Sequence, residues 1–185
     1  MTRTLADKVD PASQSTAWLS ALRSGAPEAL ERCFREYAPS LVLLAQRLTG
    51  ERADAEDVVQ DVFVGLPDAL RRYEDSGAFG AWLRRLTTRH ALTRMRRTRS
   101  RREDSLSLTT LNLSAPMSAM HGDAAHVERA LLALPDTQRQ VFVLRVIEGH
   151  AHAQIARLLG ISVGASEVRL SRAVKALRTL LGGTR

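Results

Sequence analysis

The chain has 185 residues, room for one ordinary domain or two small ones, and its 44% hydrophobic content can build packed cores, which excludes a disordered chain. No apolar run approaches membrane-spanning length, and Met1 to Thr16 carries Asp7 and Asp10 without the apolar stretch of a signal peptide, so a cytoplasmic protein with no membrane insertion is expected. The net charge of +7 favours a polyanionic partner, and the single cysteine, Cys33, rules out an internal disulfide framework and argues against a cysteine-based zinc site.

Helical periodicity dominates, and no convincing strand alternation is present. The expected fold is all-α. It has a flexible N-terminus (1–16), a helical domain (17–97), a flexible linker (98–125) and a second small helical domain (126–183). Trp18, Leu19 and Leu22 mark a short first helix that Gly25 can end. Leu30, Cys33, Phe34, Tyr37, Leu41, Leu44, Ala45 and Leu48 recur at three- and four-residue steps as one apolar stripe, with a kink or restart at Pro39. A third helix starts near Asp54 and buries Val58, Val59, Val62, Phe63 and Leu66 before Pro67 kinks or stops it. Its other face carries Asp54, Asp57 and Asp61, placed where first-turn acids also suit the helix dipole.

After a loop from Tyr73 to Gly80, Phe79, Trp82, Leu83, Leu86 and His90 mark a fourth stripe, with arginines crowding the other faces. From about Thr98 to Ala125 the pattern gives way to Ser, Thr, Asn, Pro and Gly, the composition of a linker. Val127, Ala130, Leu131 and Leu134 restore it, closed by Pro135. Thr137 and Gln140 then have capping-box spacing for a helix running to Ile147, which Gly149 stops. A short helix around Ala151 to Leu159 buries Ile155, Leu158 and Leu159. Gly160 makes a turn, and Ser162 can cap a last helix with Leu170, Val174, Leu177 and Leu181 on one side.

Charge is distributed in blocks. Glu51 to Asp75 holds eight acids against three arginines, whereas Ser76 to Arg102 holds nine arginines and no acid. A second basic stretch, Arg157 to Arg185, contains the single acid Glu167. Two cationic surfaces flanking an acidic one imply at least two kinds of partner.

The strongest motif is "AQIARLLGISVGASEVRLSRAVKAL", Ala153 to Leu177, a short helix, a glycine turn and a capped longer helix. Ile155, Leu159, Ile161 and Val168 would fix the angle of such a helix-turn-helix, letting the second helix enter a major groove. Ser162, Ser166, Arg169 and Arg172 share its polar side, with Lys175 and Arg178 further along for phosphates. An arginine bidentate to guanine discriminates by roughly 1–3 kcal/mol. The acidic stripe of "DAEDVVQDVFVGL" is either a solvated surface or a dock for a basic protein surface. Phe79 and Trp82 are either core residues or stacking surfaces for an unpaired base, and the nearby Arg84, Arg85 and Arg89 suit phosphates. Arg94 to Arg102 could equally be an unstructured cationic tether. The five histidines, His90, His121, His126, His150 and His152, form no metal pattern, and no phosphate loop, nucleophile elbow or paired-carboxylate signature is present. No enzyme, cofactor or metal is expected.

In their order, "ADAEDVVQDVFVGL", "GAFGAWLRRL", "LLALPDTQRQVFVLRVIEG" and "QIARLLGISVGASEVRLSRAVKALR" resemble the extracytoplasmic-function (ECF) group of the sigma-70 family, over roughly Pro27 to Leu181. The resemblance implies a sigma factor that directs core RNA polymerase to promoters and aids strand opening. It implies that Asp54, Asp57, Gln60, Asp61 and Phe63 bind the clamp of the largest polymerase subunit. Tyr73, Ser76, Phe79, Trp82, Arg84, Arg85 and Arg89 would then engage the minus-ten element and a flipped base. Ser162, Ser166, Arg169, Arg172 and Lys175 would read the minus-thirty-five element. The linker would thread the polymerase channels, and the flap of the second subunit and an anti-sigma factor are further implied partners. Pro67 replaces an aromatic common in the family, Arg89 and Thr93 stand where Asn and Asp are frequent, and Gln154 replaces the usual Glu. Two other readings of the residues are a stand-alone helix-turn-helix regulator and a sigma-like polymerase adaptor that does not initiate.

Overall fold

The computed structural model describes residues 16–74, 77–104 and 123–182. Among these residues all regular structure is helical: α1 (Thr16–Arg23), α2 (Pro27–Thr49), α3 (Arg52–Val64), α4 (Leu66–Leu70), α5 (Phe79–Asp104), α6 (Asp123–Leu132), α7 (Asp136–Phe142), a π-helical turn over Val143–Ile147, α8 (His152–Leu159) and α9 (Val163–Gly182). The expected flexible N-terminus falls, but for Thr16, outside the described residues, as do Ser76, His121 and linker residues 105–122. None of the described helices is long and apolar enough to cross a membrane. The chain forms two compact units, one of residues up to Ala45 with Ala55–Ala91, the other of Gln46–Asp54 with the residues from Leu92 onward.

In the first unit Leu19, Leu22, Leu41, Leu44, Val58, Leu66, Leu70, Leu83 and the Phe79 ring are fully buried. Trp18 and Tyr37 meet that ring edge-on with centroids 5.1 and 5.4 Å away, Tyr73 lies 5.7 Å away, and Trp82 lies 5.6 Å away. One ring therefore ties α1, α2 and the loop after α4 to the start of α5. Gly25 ends α1 with φ 74°, a conformation that costs a residue with a Cβ, and the Ala26 N–H closes back on the Ala21 carbonyl at 3.0 Å.

Proline behaves differently inside α2 and at the start of α4. The expected kink or restart at Pro39 does not divide α2, which runs unbroken from Pro27 to Thr49 with Pro39 inside it. Pro67 instead opens α4, in the first turn, where its missing N–H would have had no intrahelical partner. The α2 stripe also needs correction at Phe34, which is 51% exposed while Cys33, Tyr37, Leu41 and Leu44 are buried. At 100° per residue, Cys33 and Phe34 cannot both point at one narrow core, and the smaller side chain occupies the interior.

α5 continues to Asp104, past the expected linker boundary at residue 98, so Arg94 to Arg102 are helical and not the alternative unstructured tether. Arginine is a good helix former, and no Gly or Pro interrupts Leu83 to Asp104, so the charged run extends the helix.

In the second unit α9 packs on α6, α7 and α8. Arg139, only 3% exposed, is a hub of this unit. Its guanidinium donates to the carbonyls of Leu134 (3.0 Å), Leu132 (3.4 Å) and Arg47 (3.0 Å) and to Asp136 Oδ1 (2.6 Å). The three carbonyls lie in or just past the last turns of α2 and α6, where carbonyls lack intrahelical donors and carry partial negative charge, and Asp136 adds a carboxylate. Gly50, at φ 92°, lies against the same guanidinium, and a Cβ there would fall 2.5 Å from Nη2. Buried Glu128 forms an ion pair with Arg47.

The expected Thr137–Gln140 capping box is absent. α7 begins one residue earlier, at Asp136, with Pro135 as its N-cap and no side-chain cap bond, while the Pro135 carbonyl accepts from Gln138 and Arg139 at 2.9 Å each. Gln140 instead donates to Met95 Sδ at 3.4 Å.

Phe79→Ala is expected to destabilise the protein by about 3–5 kcal/mol, the cost of deleting a fully buried phenylalanine. Urea unfolding of the full chain checks this, and a loss below ~1 kcal/mol would remove Phe79 from the centre of the unit.

Candidate protein and nucleic-acid interfaces

α3 has two contrasting faces. Ala55, Val58, Val59 and Val62 are buried, whereas Asp57, Gln60 and Asp61 are exposed. Asp54, one turn earlier, is half-buried and bound by Arg94, with Nε at 2.9 Å and Nη2 at 2.8 Å from the same carboxylate oxygen. It is thus a structural tie to α5 as well as part of the acidic stripe. Phe63 is half-buried rather than core, and meets the exposed Phe34 ring at 4.9 Å and 65°. Val64 follows, 77% exposed. Phe34 was missed because its spacing reads as core. The signal that could have exposed it is its adjacency to Cys33.

The loop before α5 is held from both sides. Arg23 donates from Nε to the Leu70 carbonyl (3.2 Å) and from Nη2 to the Tyr73 carbonyl (2.8 Å). Tyr73, 6% exposed, packs on Phe79 and on Trp82, the latter at 4.8 Å. Phe79 has no exposed surface, so it cannot stack on a base in this conformation and instead supports the loop. Tyr73 offers almost no face either. Trp82 is half-buried, and Arg85 one turn later is exposed. Arg84 is half-buried, while Arg85, Arg89 and Arg96 fall on the exposed side of α5 at helical spacing. Burial holds the His90 imidazole below its ordinary 6.5, with Asp61 opposing and Arg89 reinforcing the shift.

The helix-turn-helix is built by local signals. α8 ends at Gly160 (φ 67°), and the Ile161 N–H reaches back to the Ala156 carbonyl at 3.0 Å. The Gln154 side chain accepts from the Ala151 N–H at 2.9 Å, so a glutamine at this position retains the reach-back bond that a glutamate would make. Ser162 caps α9 through Oγ to the Ala165 N–H at 3.1 Å. Ser166 is fully buried, with its hydroxyl 2.9 Å from His152 Nδ1. It joins α8 to α9 and is not available to a base edge. Arg169 is half-buried, and Arg172 and Lys175 are exposed. Val168, expected in the helix-turn-helix core, is 49% exposed, and Val163 at the start of α9 is 44% exposed. Ile155 is fully buried, with Leu159 and Ile161 half-buried, and Ser166, Ala173 and Leu177 make the inner face of α9. His152, Val163 and Val168 were not foreseen as parts of this surface.

Residues 33–101 match the family Sigma-70 region 2, and residues 125–177 match Sigma-70, region 4. The RNA polymerase sigma factor CarQ of Myxococcus xanthus is 32% identical over 165 residues, which cover 86% of this chain and 93% of CarQ. This chain belongs to the ECF group of RNA polymerase sigma factors. ECF sigma factor SigM of Mycobacterium tuberculosis (strain ATCC 25618 / H37Rv) is 30% identical over 164 residues, 89% of this chain and 83% of that protein. Among solved structures, CnrH in complex with the cytosolic domain of CnrY is similar at a TM-score of 0.51 and 29% identity, covering 93% of this chain and 99% of CnrH. RpoE from Bartonella quintana, in complex with the anti-sigma factor NepR, shares the fold at a TM-score of 0.60 and 24% identity, covering 84% and 98% of the two chains. As an ECF sigma factor the protein is a transcription initiation factor that directs core RNA polymerase to promoters.

Cys33 has no exposed surface, and its thiol is pushed up to about 12, first by burial and then by Glu36. A maleimide is expected to leave the folded chain unmodified near pH 7 and to label it upon denaturation. Rapid labelling of the folded protein would contradict the buried position.

Proposed function

We propose that three separate surfaces of this sigma factor divide the work of initiation. Asp57, Gln60 and Asp61, with Phe63 beside them, dock on the clamp of the largest polymerase subunit, and Asp54 orients α3 through Arg94. Trp82, Arg84, Arg85 and Arg89 engage the minus-ten element, Trp82 offering a ring and the arginines holding phosphates. Ser76, outside the described residues, stays within this proposal. Tyr73 and Phe79 act from beneath, by fixing the loop and Trp82. The observation that carries this reading is the segregation of exposed acids on α3 from exposed arginines on α5, each over a buried apolar face.

On α9, Arg169, Arg172 and Lys175 contact the minus-thirty-five element. Ser162 presents the helix N-terminus, and Ser166 sets the angle of α9 through His152. The exposed Val163 and Val168 suit thymine methyl groups, the apolar feature of a major groove. The flap of the second polymerase subunit is the partner proposed for the second unit. An anti-sigma factor is proposed as well, since the related fold of RpoE is seen with one. The protein works in the cytoplasm, where its polymerase and promoters are, and needs no cofactor.

Reversing Asp57 and Asp61 to Arg is expected to weaken core polymerase binding at least tenfold with unchanged thermal unfolding, since opposite charges across an interface become like charges. Unchanged affinity would overturn the docking assignment. Arg172→Ala is expected to lower promoter affinity of the holoenzyme, leave core binding intact and reduce the salt dependence of promoter binding. Loss of core binding with retained promoter preference would mean that the reading helix has been misplaced.

A further inference from the structure

One acid interrupts the basic face of α9. From Arg157 to Arg185 the chain has six cationic residues and a single acid, Glu167, and that acid is exposed. A helix that lies among phosphates gains no affinity from a carboxylate, which the DNA backbone repels. The ordinary structural reasons for an acid do not apply here. Glu167 is the fifth residue of α9, past the first turn in which an acid suits the helix dipole. Its helical neighbours at three- and four-residue steps are Val163, Gly164, Leu170 and Ser171, none of them a cation. No ion pair among the described residues holds its carboxylate.

Its place on the helix explains more. Ser166, Ala173 and Leu177 are buried and define the inner side of α9. At 100° per residue, Val168, Ser171 and Lys175 lie on the opposite side, with Glu167 on one flank of that face and Arg172 on the other. All five are exposed. Glu167 also lines an open groove along α9 with Ser171, Lys175 and Arg178, so a ligand can reach its carboxylate. When this face enters a major groove, the carboxylate enters with it.

The base edges then decide what it can meet. Guanine shows N7 and O6 and thymine shows O4, all of them acceptors that repel a carboxylate. Adenine offers an N6 donor, but its N7 acceptor lies beside it. Cytosine presents the N4 amino group and no acceptor of its own, and so fits a carboxylate best. We infer that Glu167 is a specificity-determining residue: its carboxylate accepts a hydrogen bond from the N4 amino group of a cytosine in the minus-thirty-five element. This rests on the role proposed for α9 and deepens it, because it assigns a base to a side chain that adds nothing to phosphate affinity.

The experiment uses holoenzyme formed from core RNA polymerase and the full-length chain, as wild type, Glu167→Ala or Arg172→Ala. Each is given a promoter pool randomised across the minus-thirty-five element, the selected sequences are counted, and urea unfolding of each chain is measured alongside. The wild type is expected to select one position at which cytosine, on one strand, exceeds every other base on the order of tenfold. Glu167→Ala should level the four bases at that position alone and keep the remaining preferences. A wild-type element with no preferred cytosine overturns the contact. So does cytosine retained at every preferred position in Glu167→Ala, and if Arg172→Ala meanwhile changes the element, the role of α9 stays intact. If neither variant changes the selected element, the role of α9 falls and the contact falls with it. Loss of the whole minus-thirty-five preference in Glu167→Ala would mean that Glu167 holds α9 in place, which also overturns the contact.

Discussion

The first unit depends on one buried ring. Phe79 opens α5 and is surrounded by Trp18, Tyr37, Tyr73 and Trp82, so five of the chain's eight aromatic residues converge there. A chain with only 4% aromatic residues thus concentrates its largest apolar surfaces at the point where α1, α2, the loop after α4 and α5 meet. The loop proposed to meet the opened promoter strand is anchored by that cluster at both ends. A loop of this kind gains precision when its flanks are rigid, because less ordering has to occur on binding.

Charge is organised upon this frame. The apolar faces of α3 and α5 point inward, which leaves the acids of one and the arginines of the other outward. Asp54 and Arg94 form a half-buried pair that joins the two helices. Exposed ion pairs contribute little to stability, so the sign of each face matters more to encounter and orientation with partners than to the fold. In the second unit the corresponding organising charge is buried. Arg139 serves four acceptors near helix ends, and Gly50 leaves room for it.

The elements most legible in the sequence are those written in local chemistry. Gly25, Gly160 and Ser162 end and begin helices as their residue types predict, and α8, the turn and α9 follow from them. Less legible were residues whose position is decided by a distant partner. Ser166 looks like a polar surface residue until His152, fourteen positions away, accounts for its hydroxyl. Arg139 reads as an ordinary helix-surface arginine because backbone carbonyls leave no trace in side-chain patterns. Phe34 and Val168 were placed in cores because apolar spacing counts residues on both edges of a stripe alike, and only the width of the actual interior separates them. The Thr137–Gln140 spacing fitted a capping box, but Pro135 started the helix one residue sooner. The helix of Arg94–Asp104 was hidden by its composition, since a dense arginine run has helical propensity without an apolar rhythm.

The central claim is that this chain, with core RNA polymerase, selects promoters. Run-off transcription with purified core polymerase and a library of promoter fragments tests it most directly. The account predicts that adding the protein yields discrete new transcripts from a subset of promoters that share minus-ten and minus-thirty-five elements. Polymerase binding without transcripts, or specific binding to duplex DNA by the protein alone with no effect on the polymerase, would contradict it.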